Sequence, residues 1–178
     1  MGTDLVYQKG SAALNNCAFV TTANIDIDFA TPFCFLMDMS MLGVGVGGDT
    51  RGAGKIKVYR PTYTRTPYVV EDSREGWVAL VREILSSFVG KAHYPLTIDY
   101  SKVRPRGAPI NGFGGVASGP EPLQELVENI TKTLWKENSS EPIEITSSHI
   151  VDIFNYVGKC VVAGGVRRTA EIMFGDPN

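Results

Sequence analysis

The residues of this chain best suited to redox chemistry are its three cysteines, Cys17, Cys34 and Cys160. A cysteine can pack as a small hydrophobe, or its thiolate can attack a disulfide and exchange with it. Cys17 stands in "ALNNCAFVTT", between two asparagines and an apolar, β-branched run. Both readings apply to it: a buried thiol on a strand, or half of a redox pair. Cys34 lies inside the apolar "TPFCFLMDMSML", and Cys160 has apolar neighbours on a helical stretch, so both read as core residues. An odd number of widely spaced cysteines suggests neither a disulfide framework nor a zinc site. His93 and His149 have no ligand partner at a useful spacing. No metal is expected, and no Ser-His-Asp or Cys-His arrangement follows from spacing.

Glycine carries the next signal. The 19 glycines concentrate in "GVGVGGDTRGAG", "GFGGVASG" and "AGGVRR", and such clusters mark sharp turns or close approach of a ligand to the backbone. A Walker A loop would need glycine where Asp49 stands and Ser or Thr where Ile56 follows Lys55, so that match fails. Gly43, Gly45 and Gly48 fit the spacing of a dinucleotide fingerprint but follow an expected helix instead of a strand. Backbone contact with a ligand and a tight structural turn therefore both stand. Arg167 and Arg168 lie just beyond a glycine pair, where their planar forks suit phosphate or base edges. The residues taken alone favour a solvated basic turn, or ion pairs to Glu171.

Across the chain as a whole, 43% apolar and 20% charged residues describe a soluble globular protein. A length of 178 residues fits one domain, 1–178, with a real core. A formal charge of −2 gives no general attraction to nucleic acid or anionic membranes. No apolar run approaches the roughly 20 residues that span a bilayer. The opening "MGTDLVYQKG" has neither a signal peptide's regions nor, with Val6 in place of Ser or Thr, a myristoylation pattern. The cytoplasm is the expected compartment, and no nucleic-acid or membrane partner is expected.

Periodicity places the elements. Cys17 to Thr22 reads as a buried strand. Thr31 to Leu42 reads as a buried helix with Pro32 in its first turn. The first glycine cluster follows as a turn or loop, and "KIKVYRPTYTR" then alternates like a strand. In "EDSREGWVALVREILSSFVG", Asp72 is the expected cap with Glu75 reciprocating. Trp77, Leu80, Val81, Ile84, Leu85 and Phe88 form its stripe, and Gly90 is the stop. "LTIDYSKVRPRGAP" reads as a strand leading into a basic loop. Pro120 opens a helix with Leu123, Leu126, Val127, Ile130 and Leu134 inward. A third helix starts near Ser147 or Ser148, with Ile150, Val151, Phe154, Val157 and Val161 as its stripe. Thr169 to Phe174 reads as a last strand. Strands separated by helices of this length predict a parallel α/β arrangement.

Five stretches occur in an order that resembles ribonucleotide reductase catalytic chains: "NNCAFVTT", "MLGVGVGGDTRGAGK", "VEDSREGW", "RPRGAPINGFGGVASGPEPL" and "SSHIVDIFNYVGKCVVAGGVRRTAEI". The wording is most similar to the adenosylcobalamin-dependent, class II ribonucleoside-triphosphate reductases, from about Ala13 to Asn178. The resemblance implies a fold: the first five-stranded parallel half of a ten-stranded α/β barrel, including both specificity loops. It implies roles as well. Cys17 matches the first substrate-reducing cysteine, which is oxidised to a disulfide as the ribose 2′-hydroxyl leaves as water. Asn15, Asn16, Gly45, Gly47 and Arg167 fall at substrate-binding positions. Asn111, Gly112, Phe113, Gly114, Gly115 and Ser118 fall in the first specificity loop, where a deoxynucleoside triphosphate effector binds. Gly164 to Glu171 matches the second loop, which links effector to substrate base.

The resemblance also implies what must come from elsewhere. The family's radical-bearing cysteine, in an Asn-x-Cys-x-Glu pattern, the second reducing cysteine and most adenosylcobalamin contacts have no counterpart here. The expectation is therefore a split-gene product or excised piece that is inactive alone. It would need a complementary reductase chain with the second half-barrel, a nucleotide substrate and a thioredoxin-like reductant. The alternative is a non-catalytic deoxynucleotide-binding or regulatory module that kept the specificity loops.

Overall fold

The computed structural model describes residues 16–110, 116–135, 141–163 and 170–175. In chain order its elements begin β1 (Cys17–Val20), α1 (Thr31–Met41), β2 (Gly45–Asp49), β3 (Lys57–Val58), β4 (Tyr63–Thr64), β5 (Tyr68–Val69) and α2 (Arg74–Ser87). They continue with β6 (Tyr94–Pro95), β7 (Ile98–Asp99), α3 (Glu121–Leu134), β8 (Ile143–Glu144), α4 (Ser147–Ala163) and β9 (Glu171–Phe174).

The helices form where apolar residues recur every three or four positions. Leu80, Val81, Ile84 and Leu85 are the buried face of α2, and Leu123, Leu126, Val127, Ile130 and Leu134 that of α3, matching the stripes read from the sequence. In α4 the buried residues are Ile150, Ile153, Phe154, Val157, Gly158 and Cys160. Helix α1 buries Pro32, Phe33, Cys34, Leu36, Met37 and Ser40. Its start is held by a residue outside it: Asp28 accepts from the Ala30 and Thr31 N–H groups at 3.0 and 3.2 Å and from the Thr31 hydroxyl at 2.7 Å. These donors are among the orphans that every helix N-terminus leaves.

The cap of α2 differs from the expected one. Ser73, not Asp72, is the N-cap, and its Oγ accepts from the Gly76 N–H at 3.0 Å. The Asp72 carboxylate is engaged by Arg104 Nε at 2.6 Å, which takes it out of reach of the helix. Gly90 follows α2 with φ of +72°, the left-handed stop expected of it.

Three strands make the central sheet, all parallel, in the order β1-β2-β9. The remaining pairings among the described residues are short: β3 with β8 antiparallel, β4 with β6 parallel and β5 with β7 parallel. The chain is thus α/β, with three strands in its main parallel sheet as described. The larger departure concerns the glycine cluster. The sequence reading made it a turn or ligand loop after a helix, but Gly45 to Asp49 is the middle strand of that sheet. Its two neighbours supply the ladder hydrogen bonds, and buried Val44 and Val46 anchor it.

Helices α1 and α4 pack on one face of the sheet, α2 and α3 lie against them, and Phe33 sits at the junction. Its ring meets Phe29 and Phe154 edge to face at 5.7 and 5.6 Å, an arrangement that suits the ring quadrupoles. Gly48 makes this packing possible. A methyl group there would sit 2.5 and 2.7 Å from two Phe154 ring carbons.

Candidate functional site

Side chains in register on a parallel sheet share a face. Cys17 pairs with Gly45, Phe19 with Gly47, Gly47 with Ile172 and Asp49 with Phe174. These residues occupy the face that α1 and α4 leave uncovered. Cys17, Phe19, Ile172 and Phe174 are all exposed there, Phe19 at 54%, Ile172 at 57% and Phe174 at 53%. Ala18, Val20, Val46 and Met173 turn the other way, into or against the core.

The two ends of this face differ. Towards Asp49, the Phe19 and Phe174 rings come within 6.0 Å of each other, and Gly47 is buried beneath them. A methyl group at Gly47 would meet Phe19 Cδ2 at 3.0 Å and Ile172 Cγ2 at 3.2 Å. Towards Cys17, the described residues place no large side chain over the sheet. A methyl group at Gly45 would find no neighbour nearer than the Ala170 carbonyl at 3.5 Å, and Gly45 has no left-handed backbone that would demand glycine. Among the described residues a side chain at Gly45 would meet only ordinary contacts, yet the position in register with the exposed thiol carries none.

A buried hydrogen-bond cluster holds the C-terminal ends of β1 and β2 together. The Thr21 hydroxyl and the Thr22 N–H donate to the Asp49 carboxylate at 2.7 and 2.8 Å. The Thr22 hydroxyl lies 2.9 Å from both an Asp49 carboxylate oxygen and the Asp49 carbonyl, and it accepts from the Gly52 N–H at 2.9 Å. Burial pushes the Asp49 carboxyl up, but the hydrogen bonds from Thr21, Thr22 and the Arg51 N–H outweigh it and hold the group below the usual carboxylate range.

The other thiols are unlike Cys17. Cys34 and Cys160 are buried, and burial pushes both up to about 12. Asn16 is exposed, and its carbonyl accepts from the Gly45 N–H at 3.0 Å, so it borders the Cys17 end of the face. Ser118 lies elsewhere, at the base of a turn where Gly107 and Ala108 bond Ala117. Its hydroxyl is buried and donates to the Gly119 carbonyl at 3.1 Å. Asn15, Asn111 to Gly115, and Arg167 fall outside the described residues.

Sequence reasoning missed the exposed apolar side chains of this face, and it named Glu171 without the burial of its Oε1. The parity of "CAFV" and "EIMF" carries the signal, because alternate residues of a strand share a face. Among the described residues no group of His, Cys, Asp and Glu could hold a metal ion, and no helix is long and apolar enough to cross a membrane.

Comparison with known proteins bears on the whole chain. Residues 49–134 match the family model described as B12-dependent ribonucleotide reductase, insertion domain. A probable adenosylcobalamin-dependent ribonucleoside-triphosphate reductase of Dictyostelium discoideum is 46% identical over 99% of this chain and 25% of that protein. The adenosylcobalamin-dependent ribonucleoside-triphosphate reductase of Euglena gracilis is 48% identical over 99% of this chain and 24% of its own length. A crystal structure of a B12-dependent (class II) ribonucleotide reductase superposes with a TM-score of 0.76 at 28% identity, covering 99% of this chain and 31% of the other. The chain thus spans about a quarter of the length of the curated relatives it matches. Along its whole length its homologues, at 46–48% identity, are B12-dependent ribonucleotide reductases, and its fold matches part of a class II enzyme of that family.

Proposed function

We propose that this chain supplies part of the substrate-reducing site of a ribonucleotide reductase that converts ribonucleoside triphosphates to their 2′-deoxy forms by radical chemistry. One observation carries the reading. The only exposed thiol among the described residues, Cys17, stands on the sheet face that α1 and α4 leave uncovered, in register with Gly45, which has no side chain. Reduction at C2′ consumes two electrons and two protons. Two thiols supply them: the C2′–OH bond breaks, water leaves, a hydrogen takes its place, and the thiols join as a disulfide. Cys34 and Cys160 are buried on the helical side, so the second thiol belongs to a part of the reductase outside this chain. A thioredoxin-like dithiol would restore the pair by exchange.

Adenosylcobalamin supplies the initiating radical when bound. The apolar face of Phe19, Ile172 and Phe174 offers no group that ligates cobalt, so we assign its binding mainly to the rest of the enzyme. Asn15, Asn16, Gly45, Gly47 and Arg167 are the proposed substrate-side residues. Asn111 to Gly115 with Ser118 form the proposed effector loop for a deoxynucleoside triphosphate, coupled to the base through Gly164 to Glu171. Such coupling acts through unequal effector affinity for two loop states. In this reading residues 1–178 form one unit, the first five-stranded half of the barrel, completed by a complementary chain.

The test is reconstitution. The 178-residue chain with adenosylcobalamin and a dithiol is expected to form no deoxynucleotide. Adding a chain that carries the second half-barrel should restore turnover, and Cys17→Ser should abolish it. Full activity of the Cys17→Ser mixture would refute the assignment. Deoxynucleotide binding that never supports turnover would favour the regulatory module.

A further inference from the structure

Glu171 opens β9 with its side chain on the helical side of the sheet, in register with Val46. Its Oε1 is buried and has no hydrogen-bond partner, which is costly for a carboxylate and far less so for the neutral acid. The carboxyl packs against Gly158 of α4, and a methyl group at Gly158 would lie 2.8 Å from Glu171 Cδ. Glycine inside a helix sacrifices stability relative to alanine, so a buried one needs a packing reason. Here the missing side chain is the space that the carboxyl fills.

Among the described residues no charge nearby compensates it. One turn to either side of Gly158 on α4, the residues are Phe154, Asn155, Val161 and Val162, none of them ionisable. On β2 the facing residues are Val46 and Gly48. The ionisable groups of α4 adjacent in sequence look away: Lys159 pairs with Glu125 of α3, and Cys160 lines the groove between α3 and α4. Burial alone accordingly pushes the Glu171 carboxyl up to about 7.

We propose that Glu171 is a positioning residue: its neutral carboxyl, seated in the notch at Gly158, sets β9 against β2 and so places the Ile172 side of the Cys17 face, and ionisation unseats it. The link runs through the ladder, since Glu171 pairs with Val46 and Ile172 with Gly47. The functional meaning of the move rests on reading the Cys17 face as the reducing site, but the seat itself does not.

Nuclear magnetic resonance on the 178-residue chain tests it, with carboxyl-labelled glutamate and amide detection from pH 4 to 9. Glu171 should titrate with a midpoint near 7, and the Gly47 and Ile172 amides should shift with the same midpoint. Glu171→Gln should remove that amide transition. Gly158→Ala should expel the carboxyl and return its midpoint to about 4.3, the ordinary glutamate value. A wild-type Glu171 titrating in the ordinary range would overturn the proposal, as would Gly47 and Ile172 amides indifferent to its titration. No substrate is needed, so failure of the Cys17 reading would leave these midpoints unchanged.

Discussion

Alanine at Gly48 and alanine at Gly45 are the same chemical change in one strand, and the structure predicts opposite results. At Gly48 the new methyl would lie 2.5 and 2.7 Å from Phe154 ring carbons and 3.1 Å from Met173 Sδ. Carbon atoms pack at about 3.5–4.0 Å, so the ring must withdraw by about 1 Å. It cannot do so freely, because Phe154 is fully buried and braced edge to face on Phe33. Overpacking of this kind costs about 1–3 kcal/mol, and at this chain length each kcal/mol moves Tm by about 2–4 °C. Gly48→Ala should therefore lower Tm by about 2–12 °C. At Gly45 the nearest atoms are 3.5–3.7 Å away, ordinary contact. Removing glycine's freedom in the unfolded chain is then worth about 0.4–1 kcal/mol of added stability, a rise of about 1–4 °C. Thermal melts followed by circular dichroism, with urea midpoints at the same pH, decide the matter. Equal losses at both positions, or no loss at Gly48, would refute the placement of this stretch as the central strand. In a reconstituted reductase, Gly45→Ala should raise KM despite its sound fold, since its methyl occupies the surface beside Cys17.

Thiol labelling at pH 8 should show one fast cysteine and two slow ones. Cys17 is exposed, whereas Cys34 and Cys160 are buried with thiols pushed up to about 12, and the thiolate is the reactive form. Cys17→Ser should remove the fast phase, and a persisting fast phase would place the reactive thiol elsewhere. Asp49→Ala strands the Thr22 N–H and removes carboxylate contacts from the Thr21 and Thr22 hydroxyls, and should cost about 2–3 kcal/mol in urea unfolding at pH 7. The pH trend follows from the lowered Asp49 carboxyl. Its contribution is complete above the ordinary value of about 3.9 and is lost as the pH falls through the lower folded value. Wild type should thus lose more stability than Asp49→Ala between pH 5 and pH 2, and parallel losses would show that the cluster does not hold the strand ends.

Helices were legible because burial on one side leaves a repeat of three to four residues. The inward residues of α2 and α3 follow that repeat almost without exception. The central strand was not legible for the complementary reason. In "GVGGD" three of five residues are glycine, so the alternation that marks a strand has few side chains to display, and glycine's turn preference dominates a local reading. Tertiary contacts settle it: Gly48 is glycine because a helix ring lies against it. The cap of α2 failed for a similar reason, since Arg104 recruits Asp72 from 32 residues away. Cys17 was legible as a thiol of two possible fates, but its exposure depends on which strand faces lack a helix, and that is decided by segments far apart in the chain.

A parallel sheet is ordinarily covered on both faces, so an open face could mean only that this chain spans a quarter of its relatives. The distribution of side chains argues for more. A face that merely awaited a covering layer would carry bulky apolar residues along all of its strands. Here Phe19, Ile172 and Phe174 gather over Gly47 and supply apolar area for such a layer. At the other end, the pair Cys17–Gly45 offers a thiol and no bulk. Among the described residues a methyl at Gly45 would meet only ordinary contacts on an ordinary backbone, and it would shield the sheet from water. The chain forgoes that gain at the one position in register with its exposed thiol. Among the described residues the face therefore divides into an apolar half and a half where the exposed thiol stands beside a glycine, the arrangement that the proposed reducing site calls for.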